Sequence, residues 1–197
     1  MLKAFSYRPE FVYHTKEQME SYYAKYLGKN WIKEEEKILA DRKSKGIKRT
    51  SIIAVNHISF LDEVIILAQK NMKPGFTPAH FTKDIKFANT FLSGIQSIYI
   101  DRTMPVDKRD KLVDQLTEHC KMIETSEDNF APLVFHVEGS VSNGSLLSEF
   151  KRGAFVPLKT VLPMFIEYEY HMVSPSYDCI LGLELFVLSC CSSLCAT

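Results

Sequence analysis

The segment Asn56-His57-Ile58-Ser59-Phe60-Leu61-Asp62 sets an imidazole and a carboxylate a few residues apart, directly after the apolar run Ile52-Ile53-Ala54-Val55. A histidine oriented by a carboxylate is a general base suited to a weak nucleophile such as an alcohol. The local pattern also says how such a pair could be held. Ser51–Val55 reads as a buried strand, Ser59 as the N-cap of a following helix, and Asp62 as the acid of a capping box. His57 then falls in the strand-to-helix turn, at the C-terminal edge where α/β sheets bind ligands. A plainer reading uses the same residues: Asp62 only caps the helix, and His57 is only a polar turn residue.

A strand–helix alternation surrounds this segment. The spacing predicts strand 51–56, helix 59–71, a turn at Pro74-Gly75, a short strand 78–83, a brief helix 87–92 ending at Gly94, and strand 96–101. Helix 106–125, strand 132–137 and strand 161–168 follow, with Val113, Leu116, Cys120 and Ile123 on one helix face. The expected fold class is α/β, with a largely parallel central sheet flanked by helices on both faces. Residues 1–48 read as an N-terminal helical region and 49–197 as the main domain. In the former, Met19, Tyr22, Tyr23 and Tyr26 recur at helical spacing as a packing face, Gly28 is a natural C-cap, and Lys33–Lys48 reads as a solvated helix ending near Gly46. There is no internal repeat and no low-complexity linker.

A second block, His136-Val137-Glu138-Gly139-Ser140-Val141-Ser142-Asn143-Gly144, follows the apolar run Pro132-Leu133-Val134-Phe135 and leads into Phe150-Lys151-Arg152-Gly153-Ala154-Phe155. Between the two blocks lies Ile98-Tyr99-Ile100-Asp101-Arg102, and after them Val161-Leu162-Pro163-Met164-Phe165-Ile166-Glu167-Tyr168. In order and spacing this set resembles the glycerolipid acyltransferases, which show Asn-His-x-Ser-x-x-Asp, a strand-end Arg, Phe-Pro-Glu-Gly-Thr and a Val-Pro strand. The resemblance covers about residues 50 to 190. Ser142-Asn143-Gly144, the Phe150–Phe155 stretch and Val173-Ser174-Pro175-Ser176-Tyr177-Asp178 are similar to the branch that acylates lysophosphatidylcholine or lysophosphatidylethanolamine. Three features depart from the pattern. His136-Val137 stands for Phe-Pro, which frees one φ angle and restores an N–H in the loop. Tyr177 stands for Trp, and the chain stops at Thr197, short of where members of the family usually end.

The resemblance implies transfer of a fatty acyl group from acyl-CoA, as co-substrate, to the free hydroxyl of a lysophospholipid. No acyl-enzyme, no metal and no further cofactor are expected. His57 would take the hydroxyl proton, and Asp62 would fix the tautomer and stabilise the imidazolium. Backbone N–H groups near Gly139 or at the helix start by Ser59 are candidate oxyanion donors. Arg102 matches the family's phosphate-binding position, where a guanidinium can hold a phosphate bidentately; its plain alternative is an ion pair with Asp101 or Asp107. Glu138, Gly139 and Ser140 match the acceptor-binding motif, although Glu138 can equally accept N–H groups of its own loop. Lys151 and Arg152 could meet phosphate or coenzyme A, or be a solvated pair. His136 reads as a core or loop histidine.

With 197 residues and 46% hydrophobic content, one sizeable core is expected. The 24 Lys+Arg balance the 24 Asp+Glu, which argues against a nucleic-acid partner. The five cysteines, Cys120, Cys179, Cys190, Cys191 and Cys195, have no Cys-x-x-Cys pairing and read as reduced thiols, with palmitoylation of Cys191 or Cys195 the alternative. Met1–Tyr13 carries no secretory signal, and no clean apolar run of about 20 residues is present. Membrane contact is therefore expected to be peripheral or through a membrane-bound complex, at an intracellular membrane (endoplasmic reticulum or mitochondrial) and not in a secreted protein. Two other readings remain at this level. One is a catalytically weak or inactive acyltransferase-fold subunit that holds lipid within a membrane-bound complex. The other is a soluble enzyme that uses an acyl-carrier protein as donor.

Overall fold

A computed structural model describes residues 9–28, 30–59, 61–69, 73–101, 103, 105–126, 130–169 and 174–176. Two helices come first, α1 (Lys16–Leu27) and α2 (Trp31–Ser44). Thr15 and Gln18 form a reciprocal capping box at the start of α1, and Gly28 closes it at φ 83°. The tyrosine stripe of α1 is not a buried packing face. Tyr22 and Tyr26 are exposed; Tyr23 lies edge-on to the buried Trp31 at 5.8 Å, and Tyr22 is tilted against His14 at 6.4 Å. A stripe flanked by polar residues cannot be buried until another element covers it.

The sheet contains β1 (Ile52–Val55), β2 (Gly75–Phe76), β3 (Leu133–His136) and β4 (Val161–Met164), ordered β2-β3-β1-β4 with every pairing parallel. Period-two alternation splits the residues of β1 and β3 between two cores. Ile52, Ala54, Leu133 and Phe135 pack on Leu116, Cys120 and Ile123 of α5 (Val106–Thr125). Ile53, Val55 and Val134 pack on Ile66 of α3 (Asp62–Ala68), with Leu92 and Ile95 at the end of α4 (Lys86–Gly94) beside them. Helices thus cover both faces of a parallel sheet, the arrangement the alternating pattern implies.

Four local expectations are corrected. The short strand is not 78–83: it is β2, and His80–Asp84 is a 3-10 turn. Pro74-Gly75 is accordingly not a turn. Gly75 lies in the strand because a Cβ there would stand 2.8 Å from the Gln96 carbonyl oxygen, so only glycine lets that chain approach. Residues 96–101 form no strand and contribute one bridge, Ala79 to Ile100. Finally, Ser59 is not the N-cap residue, since α3 starts at Asp62 with Leu61 before it. Asp62 still reaches back to the Ser59 N–H, so half of the capping-box logic survives in a helix that starts later.

At the N-terminal edge of the sheet, the buried Glu124 accepts from the Thr160 N–H (2.9 Å), the Thr160 hydroxyl (2.8 Å) and the Ser51 hydroxyl (3.2 Å). This ties the end of α5 to the starts of β1 and β4. Cys120 is a free thiol in the α5-side core, and burial pushes it up to about 11. The other four cysteines, and the palmitoylation reading, lie outside the described residues.

Candidate active site

At the opposite edge, the chain leaves β1 through Asn56 and His57. The Asn56 side-chain amide donates to the Ile166 carbonyl and accepts from the Ile166 N–H, both at 2.8 Å. It thereby extends the β1–β4 pairing past Met164 and fixes the path of residues 165–168. The His57 Nδ1 lies 2.8 Å from Asp62 Oδ2, with Asp62 fully buried and the His57 side chain 18% exposed. Asp62 Oδ2 also accepts the N–H groups of Ile58 (2.7 Å) and Ser59 (3.1 Å). A carboxylate can only accept, so Nδ1 carries the hydrogen and the Nε2 lone pair remains to take a proton.

The other carboxylate oxygen has a partner that sequence reasoning missed. Tyr168, whose only visible signal was its place at the end of the predicted last strand, donates its hydroxyl to Asp62 Oδ1 at 2.6 Å. Burial and the Asp62 charge hold the phenol well above its ordinary range, so it stays a donor. Among the described residues, the groups bonded to the Asp62 carboxylate are thus all donors, a set that would stabilise a negative charge facing the imidazole.

Glu138 follows β3, the neighbour of β1, so the two blocks meet at one edge. Its buried carboxylate accepts the His57 N–H at 3.1 Å through Oε1 and the Ser148 N–H at 2.9 Å through Oε2. The Ser142 N–H bonds the His57 carbonyl at 2.8 Å from the same loop. Glu138 therefore holds the backbone of His57 and, through Ser148, that of its own loop.

His136, the last residue of β3, faces the α3 side of the sheet as Val134 does. Its ring lies edge-on to that of His57, with centroids 3.8 Å apart, and its Nε2 is 3.8 Å from Glu63 Oε1. Burial raises the Glu63 carboxyl to about 7, against the lowering pull of His57. His57, Asp62 and His136 bring their ligating atoms within 4.8 Å of one another. Neither His136 nor Glu63 was placed at the site from sequence; the signal available was a histidine where the resembled motif has an apolar residue.

Two N–H groups of the named oxyanion regions are engaged elsewhere. The Gly139 N–H closes a turn onto the His136 carbonyl at 3.0 Å, with Gly139 at φ 74°, and the Ser59 N–H is committed to Asp62. Ser140 is exposed on the same turn. The Lys151 N–H bonds the Val137 carbonyl at 2.7 Å and its side chain is exposed. Arg102 lies outside the described residues. Beside it, Asp101 accepts the Thr103 N–H and hydroxyl at 2.9 and 2.6 Å, and those bonds lower its carboxyl below the usual range. A hollow of about 340 Å³ opens behind the pair, lined by Ile58, Asn143, Gly144, Glu167 and Tyr168 among others; it reaches Tyr168 but not His57.

Residues 17–166 match the family described as Acyltransferase. The lysophospholipid acyltransferase LPEAT2 of Arabidopsis thaliana is 24% identical over 146 residues, which cover 73% of this chain and 24% of the relative. A lysophosphatidylcholine acyltransferase of Drosophila melanogaster is 26% identical over 117 residues, 59% of this chain and 21% of the relative. The lysophospholipid acyltransferase LPEAT1 of Arabidopsis thaliana is 26% identical over 144 residues, 72% of this chain and 35% of the relative. The chain therefore spans between 21% and 35% of the length of these relatives. No solved structure matches it.

Proposed function

This chain belongs to the Acyltransferase family, and from that premise we propose that it transfers a fatty acyl group from acyl-CoA to the free hydroxyl of a lysophospholipid, with His57 as general base. The observation that carries the mechanism is the 2.8 Å contact between His57 Nδ1 and a fully buried Asp62. The names of the relatives support the acceptor class. The acceptor hydroxyl attacks the thioester carbonyl and forms the new C–O bond while His57 Nε2 takes its proton. The tetrahedral adduct then expels the CoA sulfur as the C–S bond breaks, and the imidazolium returns the proton to that thiolate. Asp62, held by Tyr168 and two N–H groups, lowers the energy of the imidazolium that forms in between. Arg102 is assigned to the acceptor phosphate from its place in the motif order.

Exposed apolar residues near the site fit a lipid substrate. Leu146, Leu147 and Phe150 are 80%, 57% and 49% exposed in the segment that Glu138 ties to His57. No helix among the described residues is long and apolar enough to cross a membrane, and we assign bilayer contact to this apolar surface or to a membrane-bound partner. The test is acyl transfer by purified wild type and His57→Ala, with labelled acyl-CoA and a panel of lysophospholipids. Loss of a positioned general base lowers the rate by roughly two to four orders of magnitude. An active wild type that is indifferent to His57→Ala overturns the mechanism. A wild type inert on every lysophospholipid overturns the proposed reaction.

A further inference from the structure

His57 and His136 reach the same edge from adjacent parallel strands, paired in register through Val55 and His136. Their rings are in contact at 3.8 Å between centroids. Asp62 Oδ2 lies 2.8 Å from one of them, and all three ligating atoms fall within 4.8 Å of each other. Two imidazoles and a carboxylate are a borderline nitrogen–oxygen donor set. Such a set suits first-row transition ions and not calcium or magnesium, which take oxygen ligands. We infer that His57, His136 and Asp62 form a binding site for a divalent transition-metal ion, zinc above all, that is not a cofactor of acyl transfer.

The surroundings favour a cation. The Glu63 carboxyl group stands 3.8 Å from His136 Nε2 and offers a further oxygen donor. Glu138 is buried beside the His57 backbone. The Tyr168 hydroxyl and the Ile58 and Ser59 N–H groups hold the Asp62 carboxylate in place, as outer partners hold metal-ligating carboxylates. A tetrahedral ion with ligands at about 2.0–2.2 Å needs neighbouring donors roughly 3.3–3.6 Å apart. The pair at 2.8 Å must open slightly and the wider pairs must close, shifts that a turn residue and a strand-end residue can make. The ion takes the lone pair of one ring nitrogen of His57 and leaves the proton on the other, so a loaded site has no base to offer. That consequence rests on the function proposed above; binding itself does not.

The test measures binding directly on the full chain. Zinc is titrated calorimetrically into metal-stripped wild type, His136→Phe and His136→Asn, with melting curves to establish that each folds. Cobalt(II) absorption is recorded on the same samples. The wild type is expected to bind one zinc per chain and to give visible cobalt bands from a site containing nitrogen ligands. Both variants are expected to lose at least about 100-fold in affinity, the upper end of what removing even an outer partner does. They retain all five cysteines, so unchanged binding in either folded variant assigns the metal to other groups and overturns the site. An absence of stoichiometric binding by the wild type at micromolar zinc also overturns it. In the transfer assay, micromolar zinc should inhibit the wild type and spare His136→Phe. Should the wild type prove inert in transfer yet bind zinc through His136, the function fails and the site stands.

Discussion

Removing the Tyr168 hydroxyl should loosen Asp62 without moving His57. In Tyr168→Phe the ring is kept and one hydrogen bond is lost, the 2.6 Å donation to Asp62 Oδ1. Asp62 is fully buried, so its charge loses a donor with no bulk water in contact, and a hydrogen bond to a charged group contributes about 1.5–3 kcal/mol. The hollow beside Tyr168 can admit a replacement water, which argues for the lower half of that range, about 2 kcal/mol. For a chain of this size that corresponds to a fall in melting temperature of roughly 4–8 °C. The effect on rate should be smaller than that of removing the base. Oδ2 keeps His57 and two N–H groups, so acyl transfer should fall about tenfold or less, with acceptor KM unchanged. Calorimetric melting and steady-state transfer on the same preparation check both numbers. A melting temperature within about 1 °C of wild type would refute the hydrogen-bond argument. A rate loss as large as that of His57→Ala would move Tyr168 from a positioning role to contact with the reacting atoms.

Gly75→Ala places a Cβ 2.8 Å from the Gln96 carbonyl and 3.0 Å from that of Ile95, so urea unfolding should show a loss of about 1–3 kcal/mol, as overpacking does, while transfer per folded molecule is unchanged. Arg102→Ala should raise KM for the phosphate-bearing acceptor more than it lowers kcat; an unchanged KM returns Arg102 to a structural ion pair. Burial holds the His119 imidazole below its ordinary value, beside Phe130. A base with a depressed folded pKa contributes stability that is present above 6.5 and lost as pH falls through the folded value. The urea midpoint should therefore drop on acidification from pH 7.5 to about 5, and His119→Gln should flatten that drop; identical pH profiles would contradict it.

Much of the architecture is legible along the chain. The apolar period bounds a helix at 106–125, and α5 is Val106–Thr125. β1 and β3 read as apolar runs because strands buried on both faces need no polar alternation. The order of the Asn-His-x-Ser-x-x-Asp and Glu-Gly-Ser blocks, each after such a run, placed both on one edge, since parallel strands send all their C-termini the same way. Local patterns stop where a contact is set by pairing register. Tyr168 meets Asp62 across 106 positions, and Glu138 meets the His57 N–H across 81. Both depend on β1 lying between β3 and β4 with Val55 level with His136 and Met164. The same register brings the His136 ring against His57. β2 is not legible because a two-residue strand has too little periodicity to read, and its one signal, Gly75, has meaning only through the Gln96 carbonyl packed against it. The sequence by itself therefore determined which groups could do acid–base chemistry and on which edge of the sheet they lie. Only the tertiary structure decided which neighbours hold them, because hydrogen bonds and ring contacts between distant segments form at distances that the packing of the whole sheet sets.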